Sequence, residues 1–120
     1  MPHLTLEYTR SLVDFDPARA LSALNEAMFD SGLFGEADIK SRALGLDCYQ
    51  VGVRDTPRGF LHVNVAMLSG RSDEERKALA DSLLDALMPL LIGKAVGEVQ
   101  LSVETSDLHR PTYAKAVVHG

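Results

Sequence analysis

Proline directly after Met1 is the residue whose type and place most clearly suggest chemistry in this 120-residue chain. Initiator Met is readily trimmed when a small residue follows, and its removal turns Pro2 into a free secondary amine. Such an amine has no flexible side chain of its own. If the strand is fixed in a sheet, the nitrogen is fixed too, which is the preorganisation that proton transfer needs. The alternative is a proline that merely starts a strand, where its missing N–H is harmless. Other reactive groups are sparse. His3 and His62 suggest a pair, but no Cys or carboxylate has metal-ligand spacing to them, so neither a metal nor a cofactor is expected and both read as strand-face residues. The lone Cys48 excludes an internal disulfide, argues for the cytosol, and reads as a packing residue in a strand-like segment.

The elements around Pro2 follow from periodicity. Leu4, Leu6 and Tyr8 alternate with His3, Thr5 and Glu7, the pattern of a half-buried strand. Asp16-Pro17 opens a helix, with Asp as N-cap and Pro at the first turn. Leu21, Leu24 and Met28 give it one apolar face, and Gly32 is its stop. Residues 39–53 read as a long extended segment with bends at Gly45 and Gly52, and residues 54–59 as a turn. Leu61, Val63, Val65 and Met67 alternate with His62, Asn64, Ala66 and Leu68, a strand buried on both faces. Ser72 and Glu75 form a capping box for a second helix. That helix carries Leu79, Leu83, Leu87 and Met88 on one side, and Pro89 kinks or ends it. Val99, Leu101 and Val103 alternate in a last strand.

The pattern occurs twice. His3-Leu4-Thr5-Leu6 matches His62-Val63-Asn64-Val65, Arg10-Ser11 matches Arg71-Ser72, and Leu24 and Met28 match Leu83 and Leu87. Each copy is strand, helix, strand. The expected fold is α+β: two βαβ repeats forming a four-stranded sheet with two helices on one face. The length suits a single domain (1–120) with pseudo-repeats 2–58 and 59–108 and a C-terminal tail 109–120. A sheet covered on one face leaves the other, and its edge strands, for homo-oligomerisation.

Hydrophobic and charged fractions of 46% and 24% are those of an ordinary globular protein, with no secretory leader or apolar run long enough for a membrane. A formal net charge of -5 speaks against nucleic-acid binding. It also means that an anionic substrate needs a few local cations converging in a pocket.

Residues 68–77, Leu-Ser-Gly-Arg-Ser-Asp-Glu-Glu-Arg-Lys, run into a leucine-rich helix and then the strand Val99-Gln100-Leu101-Ser102-Val103-Glu104. This unit resembles that of the tautomerase superfamily. With Met1-Pro2-His3, Ser31-Gly32-Leu33-Phe34 and Ile39-Lys40-Ser41-Arg42, the whole chain to about His109 is similar to the fused two-repeat 5-carboxymethyl-2-hydroxymuconate Δ-isomerases. The resemblance implies a homotrimer with active sites between subunits and a small carboxylate substrate, such as a muconate-like intermediate of aromatic-compound degradation. Pro2 would be the catalytic base and Arg71 the substrate-carboxylate ligand. Lys40 stands where the family usually has the first arginine of an Arg-Ser-Arg triplet, and Arg42 retains the second, so both are candidate catalytic cations. Other readings stay open at the level of residues: Arg71 paired with Glu74 or Glu75, Lys40 or Arg42 on a solvated strand face, and a chain that keeps Met1 and only binds ligand. A dehalogenase or decarboxylase of the same superfamily, using protonated proline, is a further alternative.

Overall fold

The computed structural model describes residues 1–120. Strand β1 (His3–Thr9) leads to helix α1 (Pro17–Asp30) and strand β2 (Lys40–Leu46); strand β3 (Arg58–Leu68) leads to helix α2 (Asp73–Leu91) and strand β4 (Glu98–Leu108). The sheet order is β2-β1-β3-β4, with β1 parallel to β2, β3 parallel to β4, and β1 antiparallel to β3 in the centre. His3 pairs with Ala66 and Glu7 with His62. That register is what a two-fold relation between the repeats demands when residue 3 maps onto residue 62.

Local chemistry sets the helix boundaries. The Asp16 side chain accepts the Arg19 N–H, Pro17 takes the first turn, and Ser31 and Gly32 (φ +74°) end α1. Ser72 and Glu75 cap α2 reciprocally as a capping box. The helix continues through Pro89 to Leu91, so the proline sits in the last turn without ending it at once. Both helices lie on the sheet face that carries Leu4, Leu6, Leu61, Val63, Val65 and Met67. Ala20, Leu24 and Met28 of α1 and Leu79, Leu83, Leu87 and Leu91 of α2 close this core. Leu24 and Leu83, equivalent in the two repeats, are both fully buried. Replacing Leu83 with Ala is expected to cost about 2–5 kcal/mol of stability in urea unfolding; the same change at Met88 should cost far less.

Several expectations are corrected. The long extended segment is a strand only from Lys40 to Leu46, because the chain leaves the sheet at Asp47 and turns through Gly52 at φ +69°. Cys48 lies beyond that strand and is exposed, so it is not a packing residue. Strand β3 is buried on one face and half-buried on the other, since no helix of the chain covers the second face. Met88 points away from the core and is 51% exposed. The match of Arg10 with Arg71 also fails: the step from His3 to His62 sets Arg10 against Ser69, and Arg10 pairs with Asp47 at 2.9 Å. No helix is long and apolar enough to cross a membrane.

Candidate active site

The N-terminal residues are tied down before β1 begins. Pro2 is buried, and its carbonyl accepts the Lys40 backbone N–H at 3.3 Å. The parallel register then aligns His3 with Lys40 and Thr5 with Arg42. Aligned residues share a face, so His3, Lys40 and Arg42 all belong to the helix-free side of the sheet. Their partners differ. Lys40 Nζ donates to the Asp38 carbonyl at 2.8 Å, which bends it back towards the start of its own strand. Arg42 Nη2 lies 2.9 Å from His3 Nδ1. Arginine has only donors, so Nδ1 accepts, and the Nε2 proton is left for the Tyr113 hydroxyl at 3.2 Å. Burial first, then Arg42 and Lys40, hold the His3 pKa below its usual 6.5, in keeping with a neutral ring.

Arg71 reaches the same end of the sheet from the loop before α2. Its Nη2 donates to the Leu33 carbonyl at 2.7 Å, and its guanidinium carbon lies 5.5 Å from the centre of the Phe34 ring. It makes no ion pair with Glu74 or Glu75. Glu75 is instead held by the Ser72 backbone and side chain, which keep its carboxyl below the usual range. The residues following α1 thus orient a cation that precedes α2.

The charges converge on the Met1 amine. Burial is the chief cause that lowers its pKa from the ordinary 8.0; Asp38 opposes this, and Lys40, Lys115 and Arg71 reinforce it. Lys40 and Arg71 therefore lie near enough to influence the Met1 amine, whereas Arg42 contacts His3. Lys115, Tyr113 and Asp38 were not singled out by sequence reasoning. Lys115 is 114 residues from Met1, and no local pattern signals a contact across that distance; Lys115 Nζ nevertheless lies 3.0 Å from Met1 Sδ and 2.8 Å from Asp38 Oδ1.

The second repeat carries different chemistry in the equivalent place. His62 aligns with Ser102 as His3 aligns with Lys40. Its Nδ1 lies 2.6 Å from Ser102 Oγ and its Nε2 2.6 Å from Glu104 Oε2. Serine and glutamate replace the lysine and arginine of the first repeat, so the residues that flank the two histidines are cationic in the first repeat only. The largest cavity, about 480 Å³ between Asp47, Tyr49, Arg54 and Arg58, lies at the opposite end of the sheet from Pro2. None of the cavities is lined by Pro2, Lys40 or Arg71, so one chain supplies an open wall and not an enclosed pocket.

Comparison with known proteins joins this geometry to a family. Residues 2–120 match the family described as 5-carboxymethyl-2-hydroxymuconate isomerase. Curated protein sequences give no match. Among solved structures, a 5-carboxymethyl-2-hydroxymuconate isomerase from Deinococcus radiodurans R1 is similar with a TM-score of 0.87 and 29% identity, over 96% of this chain and 88% of that one. A 5-carboxymethyl-2-hydroxymuconate delta-isomerase gives 0.66 and 23%, over 98% and 89%. A fused 4-OT wild type symmetric trimer gives 0.74 and 21%, over 95% and 91%. The last two bear on the fold alone. With the family match spanning nearly the whole chain, the protein belongs to the 5-carboxymethyl-2-hydroxymuconate isomerase family and is an isomerase.

Proposed function

We infer that this isomerase shifts a proton within a muconate-like unsaturated polycarboxylate, such as 5-carboxymethyl-2-hydroxymuconate, in the cytosolic breakdown of aromatic compounds. The observation that carries this reading is the convergence of Lys40, Arg71 and Lys115 on the N-terminal end of the chain, where they and burial hold the Met1 amine below its ordinary pKa. After loss of Met1, the Pro2 nitrogen becomes the terminal amine, one residue further along in the same surroundings. In its neutral form it takes the proton of the dienol hydroxyl, so that C–OH becomes C=O and the double bonds shift, and returns that proton to a carbon of the chain. Arg71 holds a substrate carboxylate with its planar fork, and Lys40 offsets the negative charge that builds up as the proton leaves. Arg42 fixes the His3 ring beside this charge. Cations beside the Pro2 nitrogen disfavour its protonated form, which sets this reading above a dehalogenase or decarboxylase that uses protonated proline.

The open wall around Pro2 supports a site completed by a second copy of the chain. Edge strands β2 and β4 and the helix-free face offer the surfaces for a homotrimer, the assembly named for the fused 4-OT structure of the same fold. The test is an assay of the chain that begins at Pro2, its start verified by mass spectrometry and its assembly by sedimentation. It should isomerise 5-carboxymethyl-2-hydroxymuconate, with activity falling as pH drops and the Pro2 amine gains a proton. No turnover of this or any other 2-hydroxymuconate would sink the reading.

A further inference from the structure

The C-terminal tail crosses the end of the sheet where Pro2 lies, touching three strands in turn. It leaves β4 at Leu108, whose carbonyl accepts the Ser69 N–H at 3.0 Å. Arg110 then grips the end of β3: its Nε and Nη2 donate to the Ser69 carbonyl at 3.2 and 3.1 Å. Residues Arg110–Thr112 make one short helical turn. Tyr113 reaches the start of β1 through the His3 ring. Lys115 reaches the residues before β2, its Nζ 2.8 Å from Asp38 Oδ1. A segment that reads as an unattached tail is therefore a strap, and its last pinned residue is a lysine beside the N-terminus.

We propose that Lys115 is a specificity-determining residue that binds an additional carboxylate of the substrate, the strap serving to hold it beside the Pro2 nitrogen. This rests on the reading of Pro2 and Arg71 given above. Two observations carry it. Lysine has three donors, and here one goes to Asp38 and another to the thioether of Met1, a weak acceptor. Removal of Met1 frees that donor where the first residue stood, next to the amine. Second, Asp38 is a counter-ion with little hold: the side chains of Lys115 and Asp38 are 31% and 39% exposed, so a substrate carboxylate can replace or share the pair at small cost. With Arg71 on one carboxylate and Lys40 beside the developing charge, Lys115 is the cation left for a further carboxylate.

The probes are tricarballylate and glutarate, saturated acids of the same main-chain length that differ by one carboxylate. They are titrated calorimetrically into the chain that begins at Pro2. The wild type is expected to prefer tricarballylate. Lys115→Met should weaken tricarballylate binding about tenfold or more, as for the loss of a charged hydrogen bond. It should leave glutarate nearly unchanged, and Lys115→Arg should restore the preference. Loss of both ligands alike, loss of neither, or no preference in the wild type would overturn the proposal. A wild type that shows the preference but isomerises nothing would overturn the isomerase mechanism and leave the role of Lys115 supported.

Discussion

A chain that keeps Met1 is expected to turn over substrate about 10²–10⁴-fold more slowly than one that begins at Pro2, the range that a positioned general base contributes. The cause lies in one bond. Acylation by Met1 makes the Pro2 nitrogen a tertiary amide, whose lone pair is delocalised and not basic. Nothing else needs to change, because Pro2 is held through its carbonyl, not its nitrogen, in the contact with Lys40. Both forms should therefore fold and assemble alike. Met1 is also half-buried among the site residues, with its sulfur beside Lys115, so it obstructs the space as well as capping the amine. Enzyme preparations with graded fractions of Met1, measured by mass spectrometry, should show turnover in proportion to the fraction that begins at Pro2. Equal turnover in fully capped and fully trimmed samples would rule out the terminal amine as base. Pro2→Ala leaves a primary amine in roughly the same place and should retain part of the activity.

Arg71→Ala should act on binding, weakening it by about 1.5–3 kcal/mol, or about ten- to a hundredfold in KM. The guanidinium is preorganised before substrate arrives, clamped by the Leu33 carbonyl and lying over Phe34. One edge of the fork is thus already used, and the other is left for a carboxylate. Arg71→Lys keeps the charge but not the fork, and should recover only part of the loss. A second effect has a definite sign. Arg71 is among the cations that disfavour a protonated amine at this end of the chain, as at Met1, so its removal should raise the Pro2 amine pKa and move the acid limb of the pH–rate profile to higher pH. A variant with unchanged KM and an unmoved limb would place Arg71 outside the site.

The helix caps, the strand alternation and the core were legible because their causes are local. Asp16, Ser72 and Glu75 act within one helical turn, and Leu4, Leu6, Leu24 and Leu83 announce their burial by spacing alone. Lys40 and Arg71 were visible only through resemblance, since nothing in the neighbourhood of either says that an amine lies nearby. Lys115 and Tyr113 carry no local sign at all: their partners are Asp38, Met1 and His3, and only the closing of the sheet brings them there. The end of β2 was misjudged for a related reason. Residues 47–53 have strand-like composition, but β2 is an edge strand, and its one neighbour β1 ends at Thr9, opposite Leu46.

The two-fold relation between the repeats has a consequence in connectivity. Residue 2 maps onto Leu61, which lies inside β3 with its nitrogen locked in a peptide. The fold offers two equivalent seats for a reactive nitrogen, but a linear chain has only one beginning. Joining the repeats therefore breaks a degeneracy that the architecture itself retains: one seat can host an ionisable amine and the other never can. This leaves the second repeat without the first repeat's demand for neighbouring positive charge. The Ser102 and Glu104 that flank His62 have the composition such freedom permits.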